Sequence, residues 1–105
     1  MVEAFHCRSR EMWHVPVSDI VKDLTKALTS LCSINITTRV QDATVISASC
    51  NGCLIRISIK NKVNPGMEAL FLGVPSSIVY IDIDYRGGCL EVCRRLDLVL
   101  FRGGG

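Results

Sequence analysis

Apolar residues fall at Ile20, Val21, Leu24, Ala27, Leu28 and Leu31, the spacing of one face of an α-helix. Lys22, Asp23, Thr25, Lys26 and Thr29 take the other face. Pro16-Val17-Ser18-Asp19 supplies the start, with Ser18 or Asp19 able to accept from the free amides of a first turn. The pattern predicts a helix over 19–31. Period two then takes over. Ile34, Ile36, Thr38 and Val40 alternate with Asn35, Thr37 and Arg39, which predicts a half-buried strand. After the turn Gln41-Asp42, Thr44–Cys50 is rich in β-branched residues and predicts a second strand. Asn51-Gly52 is a hairpin signal, with a type I′ turn that needs positive φ at both residues. The strand beyond it, Cys53–Lys60, sends Ile55, Ile57 and Ile59 inward and Arg56, Ser58 and Lys60 outward.

Asn61–Gly66 reads as a loop, and Met67–Leu72 as a short strand ended by Gly73 and Pro75. In Ile78–Tyr85, Val79, Ile81, Ile83 and Tyr85 share one face, and Asp82 and Asp84 lie on the other. Arg86-Gly87-Gly88 stops that strand. Cys89, Val92, Cys93, Leu96, Val99 and Leu100 then repeat the helical stripe, which predicts a second helix over 89–101. Near the N-terminus a short strand fits either Glu3–Cys7 or Arg10–His14. Strands joined by short turns pair antiparallel, and each has one apolar face. The expected fold is therefore α+β in two layers: an antiparallel sheet of four to five strands, with both helices packed on one face. A chain of 105 residues makes this a single domain, 1–105.

Composition narrows the class. Hydrophobic residues at 49% exclude a disordered chain, and a net charge of +2 excludes a strong global attraction to nucleic acid. One Trp, two Tyr and three Phe leave little to build a base-stacking surface from. No apolar run approaches the roughly 18–20 residues of a membrane span. The first ten residues carry Glu3 and His6 and no secretory h-region. The six cysteines are then expected as free, mostly buried thiols in a reducing, cytoplasmic setting.

Few motifs carry chemistry. Cys50-Asn51-Gly52-Cys53 has C-x-x-C spacing, but redox work favours a helix N-terminus and zinc needs a second ligand pair. Across a hairpin turn the two cysteines are expected simply to flank the turn. His6 and His14, the only histidines, sit beside no nucleophile motif. Asp82 and Asp84, about 7 Å apart along a strand, are expected to pair with Arg56 or Lys60 across the ladder. Gly87-Gly88 ahead of a helix is a weak phosphate cradle and reads as a turn. The cations say more. Lys22 and Lys26 lie one turn apart on the first helix, Arg94 and Arg95 lie on the last, and Arg86 and Arg102 flank it. With the helices side by side, these six residues would form one basic patch. Asp19, Asp23, Glu91 and Asp97 interrupt it. An anionic membrane surface would attract such a patch by about 1 kcal/mol per cation.

The run Val15-Pro16-Val17-Ser18-Asp19-Ile20-Val21-Lys22-Asp23-Leu24-Thr25-Lys26-Ala27-Leu28 resembles the first helix of the kinase-associated C-terminal domains that close Ser/Thr protein kinases. Ile78–Leu96 is similar to that family's last strand, glycine turn and final helix. The final helix opens with Cys-Leu-Glu in place of the family's aromatic-containing start, and Asn64–Gly73 has no counterpart there. The resemblance implies a non-catalytic regulatory module that needs no cofactor or metal. Its partners would be an acidic phospholipid surface, which would make it peripheral to the membrane, or a kinase catalytic domain or partner subunit. The binding residues would be Lys22, Lys26, Arg86, Arg94, Arg95 and Arg102. The competing class is a small oligomerising or nucleic-acid-binding α+β protein. A thiol enzyme built on Cys50 and Cys53 has the least support. If the basic surface does not bind, the apolar loop residues Leu70, Phe71 and Leu72 are the next docking candidates.

Overall fold

A computed structural model describes residues 7–13, 15–63 and 77–104. In chain order they form β1 (Arg10–Trp13), α1 (Val17–Leu31), β2 (Ile34–Val40), β3 (Ala43–Cys50), β4 (Cys53–Val63), β5 (Ser77–Gly87) and α2 (Leu90–Gly104). The five strands make one antiparallel sheet in the order β1-β5-β4-β3-β2. This is the expected two-layer α+β fold. Of the two places considered for the first strand, Arg10–Trp13 is the one observed. Met67–Leu72, His6 and His14 lie outside the described residues.

The core follows from parity. Ile46 faces Ile57 and Ile57 faces Ile83, while Ala48 faces Ile55 and Ile59 faces Ile81. Successive strand side chains point to opposite faces, so one face of the central strands is an unbroken aliphatic surface. Both helices cover it. Ile20, Leu24, Ala27 and Leu28 of α1 and Val92, Leu96 and Leu100 of α2 join the same buried cluster. Leu24, Leu28, Ile46, Ile57 and Leu96 are fully buried. α1 lies over β2, β3 and β4 and runs beside α2.

α1 starts two residues before the predicted position. Pro16 is its N-cap, and the amides of Asp19 and Ile20 donate to the Pro16 carbonyl. Ser18 and Asp19 therefore fall inside the first turn and make no side-chain cap. Asp19 still favours that end through the helix dipole.

The cysteines depart from expectation. No thiol is free: Cys7 is joined to Cys93, Cys32 to Cys50 and Cys53 to Cys89. Cys50 and Cys53 are cross-strand neighbours at the mouth of the β3–β4 hairpin, yet each bonds elsewhere. Both point into the core, where the end of α1 brings Cys32 and the start of α2 brings Cys89. One pair thus ties β3 to the α1–β2 junction, the next ties β4 to α2, and the third ties the segment before β1 to α2.

The hairpin turn differs as well. Positive φ occurs at Gly52 (φ 78°), and Asn51 is not among the residues with positive φ, so the turn is not type I′. The Gly52 carbonyl instead faces the β5–α2 corner and accepts from the Gly88 amide at 2.8 Å. That approach requires a glycine next door. Gly87 has φ 95°, and a Cβ there would stand 2.3 Å from the Gly52 oxygen.

β2 departs furthest. Its alternation predicts a half-buried strand, but Ile34, Ile36 and Val40 are 54%, 56% and 51% exposed. The two-residue turn Gln41-Asp42 pairs Val40 with Ala43 and hence Thr37 with Ile46 and Asn35 with Ala48. Ile46 and Ala48 must face the helices, so Asn35, Thr37 and Arg39 face that way too. The aliphatic residues of β2 are left on the opposite, open face.

A candidate interaction surface

The open face is built from the outward residues of β2 to β5. Ile34 and Ile36 of β2 stand beside Ser49 and Ser47 of β3, their register partners. Leu54 of β4, 54% exposed, follows on the same face, opposite Arg86 of β5. Arg56 faces Asp84 in the next outward position. Together these side chains line an open groove of about 610 Å³. Short serines form its floor, Ile34, Ile36 and Leu54 form the apolar walls, and the Arg56, Asp84 and Arg86 charges lie along the far side. Such a surface suits an extended ligand with apolar side chains better than a small polar substrate.

The cations expected to form one patch are divided. Lys22 and Lys26 are exposed on α1, Arg94 and Arg95 are exposed on α2, and the two helices are adjacent, so these four share the outer surface of the helical layer. Arg86 is on the opposite side of the molecule, in the open-face groove. Arg102 lies in the last stretch of α2, and its side chain is outside the described set. Of the acidic residues expected to interrupt the patch, Asp97 is engaged elsewhere, accepting from Arg10 Nη2 at 2.6 Å and tying β1 to α2. Asp19, Asp23 and Glu91 remain exposed among the cations.

The other candidates acquire structural tasks. Asp82 accepts from the Ser9 hydroxyl at 2.8 Å, and that hydroxyl in turn accepts from the Ile83 amide at 3.2 Å. Asp82 faces Ser58 in register, and Asp84 faces Arg56. The Gly88 amide is taken by the Gly52 carbonyl, which removes it from any phosphate cradle. No group of three or more His, Cys, Asp or Glu among the described residues is placed to hold a metal ion. No helix among them is long and apolar enough to cross a membrane. Leu70, Phe71 and Leu72 lie outside the described residues.

Sequence reasoning missed Ile34 and Ile36 as surface residues, whereas the exposure of Leu54 follows from the alternation that turns Ile55, Ile57 and Ile59 inward. For β2 the signal was present in the length of the Gln41-Asp42 turn, which sets the parity of β2 once that of β3 is known. Compared with family models, with curated proteins and with solved structures, the chain matches none.

Proposed function

We propose that this chain is a non-catalytic interaction module that binds a protein partner in extended conformation along β2 and the adjoining open face. The observation that carries this reading is the exposure of Ile34, Ile36 and Val40 along one face of the edge strand β2, with Leu54 of β4 exposed across the β3 serines. An exposed aliphatic row of this kind marks a binding site, and an open edge offers main-chain hydrogen bonds to an added strand. The order of elements, helix, strands, glycine turn and helix, also suits the regulatory-module reading that the kinase-associated resemblance implies. Three disulfides favour an oxidising compartment over the reducing cytoplasm.

The test is to pan a library of random peptides on the wild type and on Thr37→Pro. The wild type is expected to enrich sequences that alternate aliphatic and polar residues, and the variant is expected to lose them. Equal enrichment on both proteins contradicts the reading.

A second reading keeps the helical layer as a membrane-facing surface, favoured by the exposure of Lys22, Lys26, Arg94 and Arg95 on adjacent helices. Under it, phosphatidylserine-rich vesicles bind the wild type and release it as salt shortens the screening length to below about 8 Å. A variant with Glu at all four positions does not bind. Indifference of the wild type to such vesicles removes this reading.

A further inference from the structure

We infer that the strand added to β2 is the β2 of a second copy of this chain, which makes a symmetric dimer with one continuous ten-stranded sheet. This rests on the reading of β2 as a binding edge and names its occupant. The argument begins with the backbone. A two-residue turn closes β2 onto β3, so the residues paired at its mouth, Val40 and Ala43, are hydrogen-bonded to each other. Main-chain groups alternate in direction along a strand, so Val40, Thr38, Ile36 and Ile34 bond inward to β3. Asn35, Thr37 and Arg39 then present their amides and carbonyls outward. Among the described residues, the strand order leaves that edge without a neighbour.

A two-fold axis perpendicular to the sheet keeps each face on its own side, so residues of like parity must meet. Centred on Thr37, the axis pairs Thr37 with its own copy and Asn35 with Arg39 in both directions. All three outward residues are then used, for about six backbone hydrogen bonds. No other centre within the strand engages all three. Side chains agree with this register. On the open face Ile34 meets Val40 and Ile36 meets Thr38, and cross-strand aliphatic pairs of this kind stabilise sheets.

On the helical side the same register sets polar residues opposite one another. Asn35 donates to the Thr25 carbonyl and the Thr29 hydroxyl, which holds it against α1, and its Oδ1 is buried with no partner among the described residues. In the dimer Arg39 of the second copy stands directly across from Asn35 on that face of the sheet. Space permits the arrangement. α1 lies over β2, β3 and β4, so it is centred near β3, and two α1 helices would stand about 14 Å apart, three strand spacings.

Sedimentation over a dilution series tests the inference on the intact oxidised chain. The wild type is expected to move from 11.6 kDa at low concentration to twice that mass at high concentration. Thr37→Pro removes the central outward amide, which β3 does not use, and Ile36→Lys places charge on the exposed face. Each is expected to weaken dimerisation at least about tenfold while keeping the wild-type circular dichroism and, at dilutions where the wild type is monomeric, its melting behaviour. A wild type that remains monomeric at every concentration overturns the dimer, as does a dimer that both variants leave intact. If the monomeric wild type still selects alternating peptides that Thr37→Pro does not, the edge binds a different protein and only the second-copy assignment fails.

Discussion

The two edges of the sheet are treated in opposite ways. β1 is four residues long, and its surroundings hold it down: the Cys7–Cys93 disulfide precedes it, Ser9 bonds to Asp82, and Arg10 bonds to Asp97 of α2. β2 is seven residues long, with no Pro, Gly or Lys and a single charge, Arg39, on its helical side. Proteins ordinarily blunt an open edge by shortening it, charging it or covering it. Among the described residues, β1 is short and braced beyond the strand itself, whereas β2 is anchored at its start by the Cys32–Cys50 bond and keeps a long edge with no neighbour.

The largest expected effect strikes the braced side. Replacing Cys7 and Cys93 together by Ser should cost about 2–5 kcal/mol, because the bond closes the longest loop of the three, with a sequence separation of 86. Urea titration of the oxidised proteins checks this. A loss well under about 1 kcal/mol would mean that the β1 edge is not held by that bond. Full reduction should likewise lower the melting temperature, in contrast to the insensitivity expected of free buried thiols.

The comparison of faces comes next. Leu28 is fully buried over the sheet, so Leu28→Ala should cost about 2–5 kcal/mol. Ile36→Ala, on the exposed face, should change the stability of the monomer by no more than about 0.5 kcal/mol. Equal costs would show that the open face is packed against something in the folded monomer. The smallest effect at the braced edge is that of the Arg10–Asp97 pair, whose side chains are 27% and 20% exposed. Asp97→Asn should cost about 1 kcal/mol or less after solvent screening and lose its effect at high salt.

Much of this architecture is legible from residue pattern alone. The apolar stripes at Ile20–Leu31 and Cys89–Leu100 place both helices, and the alternation from Cys53 to Lys60 places the central strand with the correct face inward. What the pattern does not carry is relative parity between neighbouring strands. Period two in Ile34–Val40 says that one side is apolar; only the two-residue turn to Ala43, read together with Ile46 and Ala48, says which side meets water. Cysteine pairing is hidden for a related reason. Cys53 and Cys89 are 36 residues apart, and Cys7 and Cys93 are 86 apart, so their meeting depends on the whole strand order rather than on any local spacing. The basic patch was half legible. Helical periodicity groups Lys22 with Lys26, whereas the position of Arg86 depends on the face that β5 turns outward.

Amide hydrogen exchange, followed residue by residue as the protein is concentrated, tests the asymmetry between the two edges most directly. The account predicts that the amides of Asn35, Thr37 and Arg39 exchange rapidly in dilute solution and become protected together as concentration rises. Over the same range the amides of Ile34, Ile36 and Thr38, already bonded to β3, should keep their protection. Rapid exchange of Asn35, Thr37 and Arg39 at every concentration, or strong protection of them in the dilute monomer, would contradict it.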